Sequence, residues 1–327
     1  MCSPGSWRLW SVVNESATTK KRGRIPHLEV ALYEYGNDNI PANVGHIRQV
    51  LGLTTDLDRV SEELFALRTR GGYEFCGHVI QHAVNRLAWS RSDHDYKAIF
   101  IAGNEPFTQG RVDYREACKL SISKGIIVNT IHCGSYDEGV RGKWKHGAML
   151  ADGTYTCIDQ DKKVAQIRAP QDRKIAELNA KLNATYVPYG DRGKGGARRQ
   201  MEQDENAAKT APGAAIQRMA AKSSVHYRNA SWDLVDAIEE GKVELGGLKE
   251  DELPATMQKM SPEERKRYLE QQAATRRSIQ EKIRELSAER KQYVAREMRK
   301  RGESDEATLG AEMRKAVRTQ AEKKGFE

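Results

Sequence analysis

In the first half of the chain, apolar patterns typical of strands alternate with patterns typical of helices. Between Leu28 and Tyr35 apolar residues alternate with other types, which predicts a strand. Ala98–Ala102 and Ile126–Cys133 are apolar-rich runs, and such runs are typical of strands buried on both faces of a parallel sheet. Shorter strands are predicted at Ile47–Leu53 and Gly153–Ile158.

Segments with helical spacing separate these strands. Val60, Leu64 and Leu67 lie on one helical face, and Thr55-Asp56 before them offers an N-cap. Strands that alternate with helices of roughly ten residues indicate βαβ units. The sequence therefore predicts an α/β fold of Rossmann-like type. In it, segments at about 28–35, 98–102, 126–132 and 154–158 form one mainly parallel sheet with helices on both faces.

The second half of the chain contains no strand pattern. We predict helical segments and flexible linker over residues 165–255, with the basic stretch Gly190–Gly196 as a flexible loop. Ser261-Pro262-Glu263-Glu264 is a capping box with proline at the first helical position, so a long charged helix is predicted over 261–301. Residues 302–327 are predicted to be a charged helical tail.

The long helix has a sparse apolar stripe that includes Ile279, Ile283 and Leu286. Such a stripe is compatible with a coiled coil or a partner-binding helix. It is equally compatible with a solvated single helix supported by pairs of opposite charge four residues apart. Self-association through this C-terminal helix is one expectation.

Composition narrows the function classes. Hydrophobic residues make up 38% and charged residues 31% of the 327 residues, and the net charge is +8. The two signs of charge are interspersed, which favours a solvated surface over a nucleic-acid footprint. No apolar run approaches the ~20 residues that span a bilayer, and the N-terminus lacks the apolar core of a signal peptide. The five cysteines form no CxxC pair, and Cys76, Cys118, Cys133 and Cys157 are expected to be free thiols in or beside apolar segments.

Six segments in a fixed order resemble a bacterial von Willebrand factor type A (VWA) domain over residues 9–161, about half of the chain. They are Leu28–Gly36 (LEVALYEYG), Leu53–Asp58 (LTTDLD), Gly71–Gly77 (GGYEFCG), Ile99–Phe107 (IFIAGNEPF), Gly125–Gly134 (GIIVNTIHCG) and Leu150–Tyr155 (LADGTY). The resemblance implies a protein-binding module with a metal-ion-dependent adhesion site at the carboxyl ends of the strands.

The metal loops of that family are altered in this sequence. The first strand and its Asp-x-Ser-x-Ser loop have no counterpart, the Thr ligand position corresponds to Tyr73, and the Asp ligand position corresponds to Gly103. The nearby oxygen donors are Glu74, Asn104 and Glu105. We predict that these three form at most a weak site for Mg²⁺ or another divalent cation. The alternative is that Glu74 caps a helix and that Asn104 and Glu105 form a turn.

The absent strand would be central in a VWA sheet. Its loss would leave two rows of unpaired backbone groups, at ~1–3 kcal/mol for each buried group. We therefore expect either that the true N-terminus lies upstream or that the sheet closes differently. A longer chain could also carry an export signal, whereas the sequence as given predicts a soluble protein.

The leading hypothesis is a VWA-type protein-binding or scaffold module with a degenerate adhesion site and no catalytic residues. One alternative is a hydrolase or thiol enzyme that uses Glu74, Cys76 or Glu105. Another is a nucleic-acid binder that uses the basic linker and the tail.

Overall fold

The structure is a computed structural model that describes residues 6–68, 70–158, 167–210, 212–301 and 309–327. The strands are β1 (Val30–Tyr35), β2 (Ile47–Thr54), β3 (Lys97–Gly103), β4 (Ile126–His132) and β5 (Tyr155–Cys157). The α-helices before residue 160 are α1 (Ser6–Ser16), α2 (Leu57–Ala66), α3 (Cys76–Arg86), α4 (Tyr114–Ser123), α5 (Tyr136–Arg141) and α6 (Trp144–Leu150). Those that follow are α7 (Gln171–Asn183), α8 (Gly190–Thr210), α9 (Pro212–Lys222), α10 (Leu234–Glu239), α11 (Ala255–Gln258), α12 (Pro262–Lys300) and α13 (Leu309–Glu322).

The chain divides into two compact units. The first consists of Met1–Thr54, Glu63–Ala165 and Asp305–Glu327, and the second consists of Thr55–Glu62 and Gln166–Ser304. All strands of the described residues belong to the first unit, and the second unit is helical there. The predicted α/β class with a helical C-terminal region is confirmed.

The first unit is built on the parallel sheet β3–β4–β5, in which β4 is central. Every residue of β4 is buried. Ile126 and Val128 belong to the apolar core that α3, α4 and α6 share. Ile131 points to the opposite face, because side chains alternate along a strand, and there it packs with Val12 of α1 and Met313 of α13. Helices therefore cover both faces of this sheet.

Helix α13 also supplies a polar contact to the sheet. The side-chain amides of Gln320 and buried Asn129 exchange two hydrogen bonds, with N···O distances of 2.7 and 3.1 Å. The Tyr96 hydroxyl donates to Gln320 Oε1 at 2.8 Å. The last helix of the chain is thus part of the first unit, and a tail sequence dominated by charge does not predict this packing.

The prediction of a single sheet is wrong for the segment at 28–35. Strand β1 pairs with β2 in a separate antiparallel sheet, and Tyr35 lies opposite Ile47 in the register. The short connection between β1 and β2 explains why the two strands are antiparallel. The Gly36 N–H donates a hydrogen bond to the His46 carbonyl, so the two ends of the connection lie side by side. A parallel pair would need a crossover of a dozen or more residues, which usually includes a helix.

The second unit contains the stretch that we expected to be a flexible basic loop. Residues 190–196 instead form the first turns of α8. A Cβ atom on Gly196 would lie 2.2 Å from Trp232 Cγ, and one on Gly193 would lie 2.9 Å from the backbone of Pro188. The glycines therefore let α8 pack closely against these residues, and this packing outweighs the low helix propensity of glycine.

Helix α12 begins where the sequence predicts. Ser261 is its N-cap, the reciprocal bonds with Glu264 complete the capping box, and the helix continues unbroken to Lys300. Leu269, Ile279 and Ile283 are buried, and α12 contacts α7, α9 and α10. Part of its apolar stripe is therefore used inside the second unit.

A buried cation fixes α12 in this unit. The Arg276 guanidinium donates to Asp233 Oδ2 at 2.7 Å and to Asp236 Oδ1 at 3.0 Å, and it stacks on the Tyr186 ring at 4.1 Å. Burial and the charge of Asp233 raise the pKa of Asp236 to about 6. Arg276 thus compensates the charge of both carboxylates, and Asp236 has a second cation in Arg228 at 3.4 Å.

We expect Arg276→Ala to lower the free energy of unfolding by about 3–5 kcal/mol, because it removes the cation of the buried Asp233 and leaves Asp236 only its longer pair with Arg228. The adjacent Arg277 is the control, since its side chain is 65% exposed in its pair with Glu239. Arg277→Ala should cost less than about 1 kcal/mol. Urea denaturation of both variants measures the difference, and equal costs would show that the buried cluster is not important for stability.

Candidate functional site

The predicted site residues lie on two loops of the first unit. Glu74 precedes α3, and a bridge between Tyr73 and Gly36 holds its loop beside the end of β1. Asn104 and Glu105 directly follow β3, at the carboxyl end of the parallel sheet. Open α/β sheets generally bind their ligands at this end.

The Glu74 carboxylate connects these loops. Its Oε2 accepts hydrogen bonds from the backbone N–H groups of Asn104 at 2.9 Å and Glu105 at 3.1 Å. Burial raises the pKa of Glu74, the two N–H groups oppose that shift, and the charge of Glu105 adds to it. Glu74 therefore binds the start of the loop after β3 and does not cap α3 with its side chain.

Amide groups surround the Glu105 carboxylate. Its Oε1 accepts from the Asn104 side chain at 3.1 Å, and its Oε2 accepts from the Gln109 side chain at 3.3 Å. Gln109 also accepts from the Glu74 N–H at 3.0 Å, and the Trp144 indole donates to the Glu105 carbonyl at 2.8 Å. The structure thus brings Glu74, Asn104 and Glu105 together.

Gln109 and Trp144 were not predicted as parts of this network. Gln109 lies in a loop whose polar residues carry no distinguishing spacing. Trp144 begins a helix almost forty residues after Glu105, and a lone tryptophan is more often a packing residue than a hydrogen-bond donor to a site.

Gly103 is the position that the VWA resemblance assigns to a metal-binding Asp. A Cβ atom on Gly103 would lie 2.1 Å from Glu74 Oε2 and 2.8 Å from the Tyr35 hydroxyl. Tyr35 donates from the same side to the Ala102 carbonyl at 2.7 Å. The Glu74 carboxylate therefore occupies the space that a side chain at position 103 would take.

Tyr73, at the position of the family's Thr ligand, is an exposed aromatic residue. Its ring stacks on His46 with a centroid distance of 5.0 Å and an interplanar angle of 14°, and the side chain is 56% exposed. This arrangement presents an exposed aromatic surface one residue before Glu74 in the chain.

The donors suit a hard cation by type, since carboxylate and amide oxygens are the ligands that Mg²⁺ prefers. Both Glu105 oxygens and one Glu74 oxygen already accept hydrogen bonds, so a cation would have to compete with them. Within the described ranges, no group of three or more His, Cys, Asp or Glu side chains is arranged to hold a metal ion.

The cysteines differ in their state. Cys76 and Cys118 carry free thiols, whereas Cys133 is disulfide-bonded, so the expectation of a free thiol is wrong there. Cys76 is the cysteine beside the site, at the start of α3, and it is fully buried. Burial first, and then the charge of Glu74, raise its pKa well above the usual value. This thiol is therefore held in its protonated, unreactive form.

A cavity of about 580 Å³ lies away from these carboxylates. It is lined near Lys97 and Ile126, the first residues of β3 and β4, and hence at the amino end of the parallel sheet. The carboxyl-end network is a surface feature, and it contributes no residue to this cavity.

Comparisons with protein families and with curated proteins find no match for the chain. Among solved structures, it is similar to an aerotolerance-related membrane protein from Bacteroides fragilis NCTC 9343 that carries multiple mutations to serines. The identity is 14%, the match covers 46% of this chain and 80% of that chain, and the TM-score is 0.32. A similarity this weak supports no argument about function. No helix in the described part of this chain is long and apolar enough to cross a membrane.

The close approach of Glu74 to Gly103 predicts that substitutions at these two positions have coupled effects on stability. Gly103→Ala should cost about 1–3 kcal/mol of unfolding free energy, because its methyl group collides with the Glu74 carboxylate. In a Glu74→Ala background the same substitution should cost much less, and a double-mutant cycle from urea denaturation measures the difference.

Gly52 in β2 is the matched control, because a Cβ there would meet only the flexible end of Gln49, at 3.4 Å. Gly52→Ala should change stability by no more than about 0.5 kcal/mol. Additive effects of Gly103→Ala and Glu74→Ala would mean that the carboxylate does not occupy this space.

Proposed function

We propose that this chain is a VWA-type binding or scaffold module whose protein partner contacts the carboxyl end of the β3–β4–β5 sheet. The observation that carries the proposal is the network of Glu74, Asn104 and Glu105, which joins two loops at the sheet edge. Its hydrogen bonds fix the loop backbone, and a preorganised surface loses less entropy on binding.

The proposed metal site is degenerate. Glu74, Asn104 and Glu105 offer three side-chain oxygen donors, and Mg²⁺ takes about six in near-ideal octahedral geometry. Water or a partner carboxylate would have to supply the others. A cation such as Mg²⁺ would therefore bind weakly here and would assist a partner without being essential for it.

Tyr73 is the residue that we expect to contact the partner most closely. Aromatic residues are enriched at protein interfaces and often carry much of the binding energy. The stacking on His46 limits the motion of the Tyr73 ring. The ring is exposed, and Tyr73 directly precedes Glu74 in the sequence.

The enzyme alternative lacks support from the arrangement of side chains. The Cys76 thiol is buried with a raised pKa, and the Glu105 carboxylate is bound by amides. The nucleic-acid alternative relied on the basic linker and the tail, and residues 190–196 of that linker are helical and do not form a flexible loop. Neither alternative gains a residue from the structure.

Self-association through α12 remains part of the proposal in a narrower form. Ile279 and Ile283 are buried within the second unit. A second copy would therefore have to contact the half-buried Leu286 and Tyr293, further along the helix.

Photo-cross-linking tests the partner surface. With p-benzoylphenylalanine in place of Tyr73, irradiation in an extract of the source cells should give one discrete protein adduct. Met149, an exposed residue near the end of α6 that precedes the amino end of β5, is the control position and should not give that adduct. Glu105→Gln should weaken the adduct, because it disturbs the loop, and EDTA should weaken it only modestly.

The position of the cross-linker that gives the adduct decides whether the partner contacts the carboxyl end of the sheet. The same adduct from Met149, or none from Tyr73, would contradict a partner at the carboxyl end. Complete loss of the adduct in EDTA would contradict the degenerate metal site.

A further inference from the structure

The cavity at the amino end of the parallel sheet has the size of a small-molecule site. Its volume of about 580 Å³ lies within the ~300–1,000 Å³ range of ligand pockets. The end of α3, the loop to Asp93, the start of β3 and the turn before β4 form its walls. All of these elements belong to the first unit.

Lys97 is a buried cation in this wall. Lys97 is 7% exposed, and its ammonium group donates a hydrogen bond to the Ser90 carbonyl at 3.1 Å. That bond uses one of three N–H donors, and no ion pair to Lys97 exists among the described residues. Buried ammonium groups are normally paired, because an uncompensated charge is costly in a protein interior.

The remaining charges around the cavity do not balance this cation. Arg91 and Lys124 also line it, against the single carboxylate of Asp93. Lys124 donates to a neutral partner, the Asn85 side chain, at 2.9 Å. Asp95, in the same loop, accepts from the Ser90 hydroxyl at 2.5 Å. The walls therefore carry an excess of positive charge.

The uncharged lining contains a polar part, formed by Asn85, Ser90 and Ser123, and an apolar part. Val84, Leu87, Trp89 and Ile126 contribute aliphatic and aromatic surface. The Trp89 indole donates to the Ala83 carbonyl at 3.0 Å, and this bond fixes the orientation of its ring. An apolar wall beside an unpaired cation suits a ligand with an anionic head and an apolar body.

We propose that this cavity binds a small organic carboxylate, with its head on the Lys97 ammonium and its aliphatic or aromatic body against Trp89. The site is separate from the carboxyl-end surface and does not depend on the function proposed for that surface. Burial of the ligand carboxylate beside Lys97 supplies the counter-charge that the protein itself does not provide.

The test is to titrate the full chain with octanoate and to follow binding by calorimetry and by tryptophan fluorescence. Octanol and inorganic phosphate are titrated in parallel, because each carries only one half of the proposed ligand chemistry. Octanoate should bind saturably, and the other two should bind at least about tenfold more weakly. Lys97→Met should weaken octanoate binding by about tenfold or more, as expected for loss of a charge-assisted contact.

Lys119→Met is the control, since this exposed lysine on α4 pairs with Glu116 outside the cavity. It should leave octanoate binding unchanged. Lys124→Gln provides a second test that does not disturb a buried position, and it should also weaken binding. Equal affinity for octanol, equal affinity for phosphate, unchanged binding in both Lys97→Met and Lys124→Gln, or no saturation at millimolar octanoate would each overturn the proposal.

Discussion

The burial of β4 on both faces is the constraint on which the first unit depends. An apolar strand in this position needs helices on each side, and its polar side chains need partners. Asn129 obtains its partner from Gln320 of α13, and Thr130 donates to the Trp144 carbonyl at 2.9 Å on the other face. The parallel register then sets Gly103 opposite His132 and so determines where the loop after β3 begins.

The two ends of this sheet have different chemistry. At the carboxyl end, Glu74 and Glu105 are bound by backbone and side-chain N–H groups, which order this part of the surface. At the amino end, Lys97 is buried beside an apolar wall without an ion pair among the described residues. The first arrangement suits contact with a partner surface, and the second suits a small anion.

Sequence reasoning succeeded where a local pattern determines the structure. The glycines and the apolar run around Ile126–His132 predict β4, and the cap at Ser261 predicts the start of α12. Alternation identified β1 as a strand, but it carries no information about the pairing partner. The Gly190–Gly196 segment was misjudged because its helix depends on contact with Trp232, far along the chain. At the site, Glu74, Asn104 and Glu105 were predicted through the resemblance to the VWA metal loops, whereas the contributions of Gln109 and Trp144 depend on tertiary packing.

One carboxylate, that of Glu74, holds the backbone of Asn104 and Glu105 at the sheet edge. An NMR pH titration of the two backbone amides tests it most directly. Both resonances should shift together with a midpoint above the ordinary Glu value of 4.5, because burial raises the pKa of Glu74. The shift should vanish in Glu74→Gln and persist in Glu105→Gln. Amides that do not respond to pH, or that respond equally in Glu74→Gln, would contradict the account.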